Sequence, residues 1–199
     1  NTGYCWMDES FKKQKTIFYT AMYHFFLQPS NIADVDIRYR GADDKIAVAK
    51  NGEYYSTLSL WDTYRAAHPL YTILVPERVD GFINTFLAHH KAQGYLPIWT
   101  AWGQENHCMI GNHSIPVIVD AYNKGFNGFD YKEALQAMVE STTENHLNSD
   151  WDMYNKYGYY PFDLLDNESV SRTLESGFDD YSIALMAEKM GIDSLAEVY

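Results

Sequence analysis

ERVDGFINTFLAHHK, residues 77–91, places Val79, Phe82, Ile83, Phe86 and Leu87 at spacings of three and four, which gathers all five on one face of an α-helix. The period is then lost in GYLPIWTAWGQENHCMIGNHS, residues 94–114, before another helical segment begins. A stretch that only turned the chain would use Gly, Pro, Asn and Ser, whereas this one carries Trp99, Trp102, Glu105, His107 and His113. The two tryptophans offer flat apolar faces to a sugar ring, and Glu105, Asn106 and Asn112 offer groups for its hydroxyls. Two core tryptophans and a helix-capping Glu105 fit the same stretch equally well.

The helical period recurs on both sides. Phe11, Phe18, Met22 and Phe25 share a face between Ser10 and Gln28, where Pro29 ends the run. A segment after Ser114 tolerates Pro116 in its first turn and carries Val117, Ile118, Ala121 and Tyr122 toward a stop at Gly125. Another starts at Asp130, with Glu133 in capping-box spacing, and carries Leu135, Met138 and Val139. The longest runs from Ser169 to Met190, with Leu174, Phe178, Tyr181 and Leu185 expected inward and Gly191 as its C-cap. Trp61 to Leu74 also looks helical, but Pro69 predicts a break or kink. Only Asn31 to Leu60 differs, with β-prone pieces at Asp36 to Tyr39, Ile46 to Val48 and Tyr54 to Leu58 between turn signals; strand is expected there alone. The predicted fold is mainly all-α, with helices paired as in a toroid or solenoid, a short β-hairpin excursion and no linker dividing the chain.

Composition narrows the function. The 199 residues are 46% hydrophobic, enough for one sizeable core. Fifteen Lys and Arg stand against 27 Asp and Glu, a net charge of −12, and no basic run tracks a phosphate backbone, so nucleic acid is not an expected partner. Carboxylates clustered in a cleft would suit a hard cation such as calcium. No run of about 18 apolar residues marks a membrane span, and NTGYCWMDES at the start lacks the regions of a signal peptide. Cys5 and Cys108 have no CxxC or zinc-like spacing, and a disulfide between them has no support in the sequence.

Four blocks together resemble glycoside hydrolase family 92, the calcium-dependent exo-acting α-mannosidases: KKQKTIFYTAMYHFFLQPS (12–30), SLWDTYRAAHPL (59–70), LPIWTAWGQENHCMIGNHSIPVIVDAYNKGF (96–126) and SVSRTLESGFDDYSIALMAEKMG (169–191). They occur in the family's order and run through nearly the whole chain. The resemblance implies an (α/α) toroid catalytic domain, hydrolysis of terminal mannose with inversion, α-1,2 linkages as the target, mannose-containing glycans as partners and a secreted or periplasmic location. The family's general-acid and general-base blocks, EGNAWQ-like and DCGQMSAW-like, have no counterpart up to Tyr199. Residues 1–199 are therefore expected to be the N-terminal half of the toroid, inactive alone and prone to self-association, with the catalytic pair beyond Tyr199 and the calcium ligands outside this chain.

What the resemblance carries over is sugar binding. Trp61 and Asp62 match the family's Trp-Asp pair, and Glu105 matches the Glu of its Gly-x-Glu-x-x-Cys-Met block; both carboxylates resemble groups that grip the terminal mannose. Arg65 lies nearby, and with Trp102 it completes the expected substrate-binding set. The alternative for Asp62 is an ion pair with Arg65 that holds the start of its helix. His107 and His113 read as hydrogen-bonded structural residues rather than metal ligands. Asn167 or Ser169 reads as a helix cap, and Asp179 and Asp180, being adjacent, point to different faces, one solvated and one paired with Lys or Arg. Another sugar-processing toroid or a non-catalytic helical binding module would show the same helices. Convergence of Trp61, Asp62 and Glu105 in one open pocket separates the enzyme readings from the binding module.

Overall fold

The computed structural model describes residues 9–146 and 149–199, so Cys5 lies outside the described residues. In chain order these form α1 (Glu9–Phe25), β1 (Ser30–Asn31), β2 (Arg38–Arg40), β3 (Ile46–Val48), β4 (Tyr55–Ser56), β5 (Leu58–Ser59), α2 (Leu60–Thr63), α3 (Ala67–Leu74), α4 (Pro76–Gln93), β6 (Trp99–Ala101), β7 (Gln104–Glu105), α5 (Ser114–Asn123), α6 (Tyr131–Thr143), α7 (Trp151–Tyr157), α8 (Ser169–Lys189) and α9 (Asp193–Ala196). The fold is mainly helical with small antiparallel sheets, as expected. Among the described residues no helix is long and apolar enough to cross a membrane.

The core is built on α4. Val79, Phe82, Ile83, Phe86 and Leu87 are all buried, and α3, α5 and α6 pack against them. Pro76 sits at the first helical position, where its missing N–H leaves no bond unmade. Gly94 closes the helix at φ 87°, donating its N–H to the His90 carbonyl at 2.7 Å. Ile115 and Ile118 of α5, Met138 of α6, and Ile183 and Met186 of α8 complete the same apolar cluster. Asp130 caps α6 by accepting from the Lys132 and Glu133 amides at 2.9 and 3.1 Å. The reciprocal half of the expected capping box is not made, because Glu133 pairs with Lys91 at 2.8 Å instead.

The structure corrects three expectations, on α1, α8 and the extent of strand, and bears out a fourth, the break before Leu74. On α1, Phe11 and Phe18 are 49% and 59% exposed; of the predicted face, Phe25 is packed on the core, its ring 4.5 Å from Tyr71. The helix meets the rest of the described residues through its last turn. On α8, Leu174, Phe178 and Tyr181 are exposed, and the buried face is Ser176, Asp179, Ser182, Ile183, Met186 and Ala187. Ile183 and Met186 of that face join the core cluster where α8 packs on α5, and Leu185 of the expected face packs against the same cluster. Between Trp61 and Leu74 the helix breaks ahead of Pro69: α2 stops at Thr63 and α3 starts at Ala67, which leaves Pro69 in a first turn and keeps its ring off the Arg65 carbonyl. Strand extends beyond residues 31–60. β2 and β3 form the expected hairpin and β1 pairs with β4, but β5 pairs with β6, which pairs with β7. Strands of two and three residues are too short to reveal alternation in the sequence.

Two smaller expectations also fail. The residue before α8 is Glu168 in the left-handed region at φ 60°, with no side-chain cap from Asn167 or Ser169. Neither Asp179 nor Asp180 pairs with Lys or Arg: Asp179 is fully buried, and Asp180 accepts the Tyr154 hydroxyl at 3.0 Å. Cys108 is exposed and free.

Candidate functional site

The sheet register decides which of the candidate residues become neighbours. Ser59 stands opposite Trp99 and Leu58 opposite Thr100, so the segment that leads into α2 lies against the 94–114 connection. From Ser59 the chain turns directly into α2. Asp62 is exposed and accepts the Ser59 hydroxyl on one oxygen, leaving its other oxygen to solvent. Trp61 is partly buried, and its indole N–H has no hydrogen-bond partner among the described residues.

Arg65 does not pair with Asp62. Its guanidinium lies 4.6 Å from the Trp61 ring and 4.4 Å from the Tyr64 ring, donates to the Trp61 carbonyl at 2.6 Å and reaches Glu175 at 3.3 Å. Planar guanidinium stacking and bonding in one place fixes this side chain far better than a lone ion pair would. The Asp62–Arg65 ion pair considered as the alternative is therefore not made: Arg65 reaches Glu175, and Ser59 is the partner of Asp62.

The second half of the site is the β6–β7 hairpin. Ala101 pairs with Gln104, so Trp102 and Gly103 alone make the turn, with φ 52° and 81°. Positive φ at both central residues is the two-residue hairpin pattern that matches strand twist. Gly103 suits it: an added Cβ would meet the Arg40 carbonyl at 3.0 Å, and its N–H donates to Ser56 Oγ at 2.6 Å. Trp102 does not, since a bulky residue is rarely held there. The residue is nonetheless 83% exposed at the tip.

Glu105 turns the other way. Its side chain is 1% exposed, and the carboxylate accepts from the amides of Ile98 (2.7 Å), Trp99 (2.9 Å), Asn106 (3.1 Å) and His107 (3.0 Å). Burial pushes this carboxyl above its ordinary range, and the amides of Ile98, Trp99 and His107 oppose the rise. His89 lies 3.9 Å away, and burial holds its imidazole down at about 3, so the contact is not an ion pair. A carboxylate so enclosed has no route to a sugar hydroxyl; the expectation that Glu105 grips mannose is corrected to that of an internal anchor. Asn112 is likewise buried, bonded to the Leu96 carbonyl and the Ser114 hydroxyl. Asn106 remains exposed and braces the loop by accepting from the Cys108 amide at 2.9 Å.

The residues that sequence reasoning missed lie on α8. Glu175 and Asp179, one turn apart, grip His113 from both sides: Glu175 Oε2 is 2.6 Å from Nε2, and Asp179 Oδ1 is 2.9 Å from Nδ1. Asp179 also accepts from the Asn112 amide at 2.6 Å, and Tyr64 stacks on the His113 ring at 4.0 Å. This network ties α2, the start of α5 and α8 together behind Arg65. The signal for it was the acidic i, i+4 pair of Glu175 and Asp179 on α8. Trp61, Asp62 and Arg65 stand within one stretch of five residues, Trp102 stands at the far tip of the hairpin and Glu105 is buried at its base, so the expected convergence of Trp61, Asp62 and Glu105 in one open pocket is not seen. Among the described residues no group of three or more His, Cys, Asp or Glu side chains is arranged to hold a metal ion.

The model of the glycosyl hydrolase family 92 catalytic domain matches residues 7–199. No curated protein matches the chain. Among solved structures, the chain is similar to the family GH92 α-mannosidase BT3965 from Bacteroides thetaiotaomicron, with 40% identity and a TM-score of 0.87 over 93% of this chain and 25% of that one. The same enzyme has been solved in complex with mannoimidazole. The family GH92 inverting mannosidase BT2199 from Bacteroides thetaiotaomicron VPI-5482 is 31% identical, with a TM-score of 0.84 over 94% of this chain and 26% of that one. The chain thus spans about a quarter of the length of the solved structures it matches.

Proposed function

The chain belongs to glycosyl hydrolase family 92, and from that premise we propose that it forms part of an α-mannosidase catalytic domain, with α2 and the β6–β7 hairpin lining the cleft for a terminal α-linked mannose. The observation that carries the reading is the family match over residues 7–199, and the register of Ser59 with Trp99 makes neighbours of the Trp-Asp and Gly-x-Glu-x-x-Cys-Met blocks. In this reading residues 1–199 are the first half of an (α/α) toroid, the enzyme is secreted or periplasmic, and it cleaves α-1,2-linked mannose with inversion. The name of BT2199 supports inversion. The general acid and base are assigned to sequence outside residues 1–199, in keeping with the 25% of BT3965 that the chain covers.

Within the cleft, Asp62 has a free oxygen to accept sugar hydroxyls, and Trp61 backed by Arg65 gives a rigid apolar wall. Trp102 stands in the turn beyond the strand Trp99–Ala101, about 10 Å along the hairpin from the residue paired with Ser59. One pyranose ring does not span that length, so Trp102 is assigned to the sugar next to the terminal mannose. Calcium is proposed for the whole enzyme, with ligands outside residues 1–199.

The test is Asp62→Ala in the intact enzyme. Loss of a charge-assisted bond of roughly 1.5–3 kcal/mol should lower kcat/KM on α-mannosides by about ten- to a hundredfold. Tm should stay within about 2 °C, because the bond lost inside the fold is one exposed contact with Ser59. A folded variant with wild-type kinetics removes Asp62 from the site; a large fall in Tm with intact kinetics makes it a structural residue.

A further inference from the structure

We infer that Glu105 is a positioning residue, whose carboxylate clasps the base of the β6–β7 hairpin and so holds Trp102 in place for the second sugar without touching sugar itself. The inference rests on the cleft assignment above. A hairpin of two- and three-residue strands is marginal by itself. Here a single carboxylate ties both of its ends: Ile98 and Trp99 donate from the entering side, Asn106 and His107 from the leaving side. At the tip, Trp102 combines a φ of 52° with 83% exposure. A conformation of that kind persists only where the surroundings impose it. Opening the base would release the turn, so the clasp and the strain at the tip belong to one device.

The carboxylate's partition between its oxygens makes the device testable by a conservative change. Trp99, Asn106 and His107 donate to Oε1, and Ile98 alone donates to Oε2. Glu105→Gln can therefore keep three bonds while turning an amide NH2 against the Ile98 N–H.

The experiment is a double-mutant cycle in the intact enzyme with α-1,2-mannobiose as substrate. Trp102→Ala and Glu105→Gln should each raise KM about tenfold with kcat near wild type, and the double variant should be no worse than Trp102→Ala alone. A product of the two effects, about a hundredfold, would show that Glu105 acts independently of Trp102 and overturn the inference. Wild-type KM in folded Glu105→Gln, with Trp102→Ala impaired, overturns this inference and leaves the cleft assignment standing. Wild-type KM in Trp102→Ala removes Trp102 from the sugar path, and both fall. A measurement on the wild type covers the case in which Glu105→Gln does not fold. The amides of Ile98, Trp99, Asn106 and His107 should exchange hydrogen as one unit and slow together when thio-linked α-1,2-mannobiose binds; four unrelated rates, or no change on binding, would overturn the clasp.

Discussion

Asp179 and Asp180 are adjacent on α8, and the helix sends them to different environments. Asp179 is fully buried and satisfied by the Asn112 amide and the His113 ring. Asp180 sits at the margin, where burial, with a further push from Asp179, raises its carboxyl to about 6 despite the Tyr154 hydroxyl. The sign follows from proton binding. The folded chain holds this proton more tightly than the unfolded chain, so its contribution is fully present below about pH 4 and is lost as pH rises toward 6. The loss is on the order of 3 kcal/mol at most. Asp180→Asn keeps the acceptor for Tyr154 without the charge, so it should stabilise the chain at pH 7 and leave it nearly unchanged at pH 4. Urea unfolding of both proteins at the two pH values measures this, and equal differences at both would exclude it. That Asp179 and Asp180 face different ways was legible from adjacency. Which of them became buried was not, because it depends on the loop ahead of α5.

At the level of elements, α4, α5 and α6 were readable because their apolar period, start signals and stops agree. The Asp130 cap is a case where local chemistry suffices. Asp130→Ala should cost α6 about 1 kcal/mol, seen as a lower urea midpoint with an unchanged slope. Sugar binding should be untouched, since Asp130 lies outside the candidate cleft; a change in KM would contradict this placement. The short strands were not readable, because Leu58–Ser59 and Trp99–Ala101 become strand only by pairing with each other. The face of α8 was misread for a related reason. Its bulky stripe and its small stripe are both helical repeats, and only the approach of α5 selects between them.

For the whole molecule, the isolated chain of residues 1–199 is expected to release no mannose from α-mannosides, with or without calcium, because an inverting hydrolase needs two carboxyl groups across the scissile bond and the cleft assignment supplies neither. Its Tm should be the same in calcium and in chelator, since its described residues gather no cluster of ligands for an ion. Robust calcium-dependent turnover, or a calcium-dependent rise in Tm, would overturn the assignment of the acid, the base and the ion to the rest of the enzyme. By itself the amino-acid sequence determined the helical class, the positions of α4, α5 and α6, the family resemblance and the blocks that carry Trp61, Asp62 and Trp102, because period, capping and motif are properties of neighbouring residues. Only the tertiary structure decided that Glu105 points inward to four amides, that Arg65 serves Glu175 from 110 residues away, and that His113 is held between two carboxylates of α8. Direction of a side chain at a junction is set by the partners that packing brings to it, and those partners are distant in the chain.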